Sequence, residues 1–329
     1  MNRKSLSLAV LFGLTIPYAS AASEMAPSNT FQHEGNVTLG THTDDFGDGL
    51  WNLDYRYYFN PVNMENGPYA LSEFLAQESN IGTQYAQMGV VTDIVSYQVD
   101  GIYVFHSNWF IGASYNRVDL DDDNFYIDSS VDDIVEYGAR IGYFFNSASE
   151  ISFSYQTSST SDTQSFSSST ENVFSSSNDS DYQLYSIAMH SFIPLASSSG
   201  LDLLASWSYV DQDYQSNNTF SLYDDFKSMS KTNQNIVTLS ADWYINKAWS
   251  VGANYIWSQY DTDSKYITAD SYDQYSFDDI SNQYSITTAY WWQISQHFAA
   301  KFSVAKQFGL DGDNLPDGLL IGISANARF

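Results

Sequence analysis

Apolar and polar side chains exchange places at nearly every step along most of this chain, and that period-two rhythm constrains the fold more than any other feature. In WSVGANYIW (249–257), Trp249, Val251, Ala253, Tyr255 and Trp257 fall on one side, while Ser250, Gly252 and Asn254 fall on the other with Ile256. Successive side chains of a strand point to opposite faces, so such a stretch reads as a strand with one greasy face and one wet face. Trp51, Leu53, Tyr55, Tyr57 and Phe59 repeat the pattern against Asn52, Asp54 and Arg56. So do Val135, Tyr137, Ala139, Ile141, Tyr143 and Phe145 against Glu136, Gly138, Arg140 and Gly142. The rhythm predicts fourteen strands, the first eight near 34–42, 50–60, 83–92, 96–105, 109–119, 134–145, 151–159 and 182–193. The other six fall near 201–211, 232–245, 249–260, 283–293, 298–307 and 318–329. Helical periodicity is nearly absent.

The connections alternate in kind. HSN (106–108), NSASE (146–150), ASSSG (196–200), NKA (246–248) and SQH (295–297) are short. Leu120–Asp133, Thr160–Asp181, Gln212–Lys231, Asp261–Asn282 and Phe308–Asp317 are long, polar and acidic, and Ser-rich 157–180 reads as low-complexity loop. Short turns at one end and long loops at the other describe an all-β, antiparallel, up-and-down transmembrane barrel. Fourteen strands fit best, with twelve and sixteen open.

A soluble sandwich also alternates, and the placement of aromatics separates the two. Trp249 and Trp257 share a face eight residues apart, which at ~3.4 Å per residue and ~40° tilt is ~20 Å along a membrane normal. The apolar band of such a barrel is ~25 Å tall between aromatic girdles. Trp51/Phe59 and Leu201/Tyr209 form similar brackets, and WFIGASYN (109–116) echoes WSVGANYI (249–256). One face therefore meets lipid and the other a watery lumen.

The first residues have a basic start (Arg3, Lys4), an apolar stretch from Leu6 to Ile16 and the small-residue site Ala19-Ser20-Ala21. This predicts a signal peptide over 1–21 and a barrel over 22–329. Without Arg3 and Lys4, 10 basic residues stand against 39 acidic ones, which excludes a nucleic-acid partner. No cysteine is present, so neither a disulfide framework nor a zinc–thiolate site is available. At the other end, Leu319, Ile321, Ile323, Ala325, Ala327 and Phe329 share a face, and the terminal Phe329 resembles the signal read by the barrel assembly machinery.

YRYYFNPV (55–62), GPYALSEFLAQESNI (67–81) and YQVDGIYVFHSNWFIGASYNRVD (97–119) resemble the general porin family of Gram-negative gamma-proteobacteria. The resemblance is clearest over 35–145 and elsewhere rests on architecture. It implies an outer-membrane channel for small hydrophilic solutes or ions, surrounded by outer-membrane lipid and lipopolysaccharide. No individual site residue follows from it, and the solute and any homo-oligomeric state stay open.

No nucleophile motif is visible. His190 and Ser191 adjoin, but neighbours on a strand point to opposite faces and make no catalytic pair. No enzyme, cofactor or metal site is expected; the acidic runs DLDDDN (119–124) and DGDNLPDG (311–318) lack full EF-hand spacing and read as solvated surface or loose divalent-ion sites. Lumen-facing parity collects Arg56, Arg140, Lys301 and Arg328 with Asp54, Asp100, Glu136, Asp202 and Asp242. These charges either set the field felt by a solute or pair across strands to fix the barrel. Acids and bases match closely in number, which predicts a near-neutral constriction under an acidic rim.

Segment 60–80 departs from the short-turn rule. Pro68 is placed to start a short helix with Leu71, Phe74 and Leu75 on one face, capping the periplasmic mouth, folding into the lumen or serving as a packed connector without gating. Two rival functions stay open: a structural or adhesive surface barrel, and an importer. The importer would need an N-terminal plug larger than the dozen residues between Ala22 and the first strand.

Overall fold

The computed structural model describes residues 30–89, 93–121, 133–167, 173–220, 225–309 and 318–329. The expected signal peptide and most of the two acidic runs lie outside them. Fourteen strands form one closed antiparallel barrel in which each pairs with its chain neighbours and β1 (Thr30–His42) pairs with β14 (Leu320–Arg328). That last pairing runs from Glu34↔Arg328 to His42↔Leu320 and removes both edges of the sheet. The others are β2 (Asp45–Asn63), β3 (Asn80–Gly89), β4 (Asp93–Val104), β5 (Trp109–Asp121), β6 (Ile134–Asn146) and β7 (Ser149–Ser167). Then follow β8 (Val173–Leu195), β9 (Ser198–Phe220), β10 (Phe226–Asn246), β11 (Trp249–Ile267), β12 (Tyr272–Gln293) and β13 (Phe298–Gly309). No described helix is long and apolar enough to cross a membrane, which says nothing of a barrel.

The outer face carries the expected apolar residues. Val37, Leu53, Val99, Ile111, Ile141, Ile187, Leu239, Ile286 and Ile323 are each 44–58 % exposed around the barrel. Aromatics bound this band. Above it, ring pairs Tyr85–Tyr97, Tyr115–Tyr137, Tyr155–Tyr185 and Tyr255–Tyr284 lie 4.9–5.6 Å apart across neighbouring strands. Toward the short turns stand Tyr103, Trp109, Trp243, Trp249, Tyr290, Trp292 and Phe298. Indole N–H groups find oxygen partners: Trp249 donates to Thr288 Oγ1 at 3.0 Å and Trp51 to Gln87 Oε1 at 2.9 Å. Such rings have an apolar body and a polar tip, as a lipid–water boundary requires. Among the described residues, two cations break the pattern near the upper belt: Arg117, level with Tyr97, pairs with Asp119 and Asp133, and Lys306, level with Ile286, bends away to Gly318 O at 3.2 Å, as long cationic side chains do at such a boundary.

The long connections correct the sequence reading. Most of Thr160–Asp181, Gln212–Lys231 and Asp261–Asn282 is strand, because β7 to β12 run for 19–23 residues. About ten residues cross an apolar band ~25 Å tall, so roughly half of each strand stands beyond it. There both faces meet water, so hydrophobic alternation disappears while backbone pairing continues. Cross-strand side chains support it: Thr232 and Thr262 hydroxyls meet at 3.0 Å, Ser161 donates to Asp179 at 2.7 Å, and Lys231 Nζ lies 2.7 Å from Asp211 and 3.3 Å from Asp213.

Candidate functional site: the barrel interior and its short-turn mouth

The connection from β2 to β3 folds into the barrel. It makes 3-10 turns at Met64–Asn66 and Tyr69–Leu71 and one short helix, α1 (Ser72–Ala76). Gln77, at φ 54°, ends the helix in the left-handed conformation usually left to glycine or asparagine. Ala70, Leu71 and Leu75 are buried against Phe192 of β8, Tyr244 of β10 and Trp291 of β12. In the closed strand order those strands lie across the barrel from β2, so the segment reaches the far wall. Tyr69 N–H donates to Lys247 O, Lys247 Nζ to Glu65 O, and Gln77 Nε2 to Asn146 O, at 2.9, 2.9 and 2.7 Å. Lys247 and Asn146 belong to short turns, which fixes the crossing at the short-turn mouth. Segment 60–80 thus crosses the short-turn mouth and packs inward against the opposite wall.

Charged side chains tie this segment to the wall. Arg56 binds Asp100 through two nitrogens at 2.9 and 3.1 Å, and its Nε lies 3.4 Å from Glu73 on α1. Gly82 makes room: a Cβ there would lie 2.8 Å from the Arg56 guanidinium carbon. Burial pushes the Glu73 carboxyl above the usual carboxylate range, with Arg56 pulling the other way. Arg328, 4 % exposed, stands over the rings of Phe31 and Trp291 at 5.5 and 5.7 Å and donates to Tyr69 O at 3.2 Å. Opposite, the His190 ring stacks on Phe74 at 3.7 Å while its Nε2 lies 2.8 Å from Asp202.

The remaining expected charges also face inward. Arg140 reaches Glu150 at 2.5 Å and Ser152 at 3.1 Å. Asp54 accepts from Asn36 at 3.0 Å and Glu136 from Asn116 at 2.9 Å. Lys301 stands 5.7 Å over Trp291, and Asp242 lies level with Asp202 on the next strand. Ser191 turns the other way from His190 and meets Ser149 at 2.7 Å. Phe329 sits at the seam, its carbonyl accepting from Gln32 and His33 N–H at 2.9 Å each and its ring stacked on His297.

The expected balance of acids and bases does not hold. Three further acids face the interior: Glu34, bonded to Asn36, Asn326 and Tyr58; Glu73; and Glu150. With Asp54, Asp100, Glu136, Asp202 and Asp242 they outnumber Arg56, Arg140, Lys301 and Arg328 two to one among the described residues. Glu150 had been placed in a turn, Glu34 at a strand's frayed start and Glu73 in the connector. The parity of Glu150 with Ser152 and of Glu34 with Asn36 was the available signal.

No family model matches the chain, and no curated protein matches it. Among solved structures it is similar to the outer membrane protein Omp33 of Acinetobacter baumannii, at TM-score 0.46 and 17 % identity, covering 92 % of this chain and 100 % of that one. The CymD monoaromatic hydrocarbon channel is similar at TM-score 0.46 and 10 % identity, over 91 % of this chain and 88 % of that one. The ferric yersiniabactin uptake receptor FyuA of Yersinia pestis reaches TM-score 0.45 at 8 % identity, over 84 % of this chain but 46 % of that one.

Proposed function

We propose that this chain is an outer-membrane porin of a Gram-negative bacterium: a passive channel for small hydrophilic solutes or ions, of the general porin kind its motifs resemble. One observation carries the reading: a closed barrel turns an aliphatic band between two aromatic belts outward and lines its interior with paired charges. Exposed on that scale to water, such a band is a liability; against lipid it is the expected surface. Inward charges that reach the lumen act on whatever passes, while buried ones such as Arg328 and Glu34 hold the wall together.

The segment Met64–Ala76 narrows this path, because it crosses the short-turn mouth and packs against the opposite wall. The acidic rim and the ionised inward carboxylates make the path favour cations. Planar-bilayer recording of the purified barrel tests the reading. Stepwise conductance is expected, and a protein that refolds and inserts yet passes no current would defeat it.

A further inference from the structure

We propose that a hollow in the inner wall of β4 to β7, built around Gly138, is a binding subsite for neutral polyhydroxylated solutes, sugars or polyols; this rests on the channel reading above and names a solute class for it. The hollow encloses about 30 Å³ and is lined by Gln98, Ser114, Asn116, Glu136, Gly138 and Gln156. Strand register sets its height. The row of cross-strand partners Arg56, Gly82 and Asp100 continues as Ser114, Gly138 and Gln156. Arg56 also meets Glu73 of α1, so the hollow lies level with the inserted segment, where the path narrows.

Glycine inside a strand weakens it, and marks a bulge or a close approach by a ligand or another backbone. Register passes through Gly138 on both sides without a shift, so no bulge accounts for it. A Cβ there would collide with Ser114 Oγ and lie 3.3 Å from Gln156 Cγ, closing the hollow. Ser96 donates to Asn116 Oδ1 at 2.8 Å and Asn116 to Glu136 Oε2 at 2.9 Å, a chain that fixes one carboxylate oxygen. The other oxygen, Glu136 Oε1, makes no hydrogen bond to another described residue, nor do the side chains of Gln98, Ser114 and Gln156. Carboxamides and hydroxyls both donate and accept, whereas an ionised carboxylate accepts. Solute hydroxyls, which do both, satisfy this set. A bare cation would leave the carboxamide and hydroxyl donors idle. An anion would face Glu136, and Arg140 does not offset that charge because Glu150 and Ser152 engage it. The volume takes a hydroxyl or two, so one edge of a sugar docks while its body stays in the path.

The test is saturation-transfer NMR of D-glucose on the full-length barrel, in micelles of a detergent without a sugar headgroup. This readout needs no current, so it separates failure of the subsite from failure of the channel reading. Saturable contact is expected, and a tenfold excess of glycine should not displace it. Gln156→Leu should weaken binding about fivefold, the factor that one hydrogen bond of ordinary net strength represents. Glu136→Gln, which keeps size and shape, should weaken it at least as much, and keeps the test open if the leucine variant fails to assemble. Ser208→Ala should leave binding unchanged: that residue shares the inward parity of Asp202 but bonds Ser186, at 2.6 Å, away from the hollow. Absence of saturable contact or displacement by glycine would overturn the proposal. So would unchanged affinity in the two hollow variants, which would reduce the hollow to wetted wall.

Discussion

The two ends of the barrel are built on opposite principles. At the short-turn mouth, Leu71, Phe192, Tyr244 and Trp291 form a small apolar core around the inserted segment, and Arg56 and Arg328 are held between carboxylates, carbonyls and rings. At the far mouth the same sheet continues as strand pairs whose described side chains meet at isolated hydroxyl, amide, ring and ion-pair contacts. One end derives its stability from burial, the other from an unbroken backbone ladder. On the proposed reading the first sets what passes, and the second presents charge to the outside.

The largest effect should come from removing the inserted segment. Replacing residues 64–76 by a short Gly/Ser turn leaves every strand intact and should raise single-channel conductance several-fold. An unchanged conductance would mean that the narrow point lies elsewhere and that the two ends differ less than described. Leu71→Ala probes the same mouth gently: the residue is 1 % exposed, and its truncation should cost about 2–5 kcal/mol of the segment's docking. Hydrogen exchange at residues 69–76, read against the strands, would report it.

The wall between the ends should be sensitive on one face only. Ala253→Arg, toward lipid, should destabilise by ~2–4 kcal/mol in refolding titrations, while Asn254→Arg beside it should be tolerated. Like behaviour of the two would contradict the assignment of faces. The smallest effect belongs to the far end, where Thr232→Ala removes a 3.0 Å hydroxyl contact with Thr262 and should cost only about 0.2–1 kcal/mol. A cost comparable to that of Leu71→Ala would erase the contrast.

The fold was legible wherever one face of a strand met lipid, because lipid forces apolar residues to every second position. Trp249 to Trp257 shows this directly, and all fourteen strands were placed. Legibility failed where that pressure stops. The upper halves of β8 to β12 have water on both sides, so Thr262, Ser264 and Ser276 read as loop although their backbones pair. The inward charges followed from parity along the strands, and Glu150 and Glu34 were lost only at strand ends. What alternation could not convey was the meeting of Phe74 with His190, or of Arg328 with Tyr69. Those contacts join residues over a hundred positions apart and exist only once the barrel has closed.

The central claim is that solutes cross an interior richer in carboxylates than in bases, beneath an acidic rim. Reversal potential under a KCl gradient, repeated at low and high salt, tests it most directly. Screening at the rim acts over ~8 Å at physiological salt and shortens as salt rises, whereas the inward carboxylates are partly shielded from it. Cation preference is expected at low salt, weaker but present at high salt. Anion preference at both would show that Arg56, Arg140, Lys301 and Arg328 govern the path, and would contradict the account.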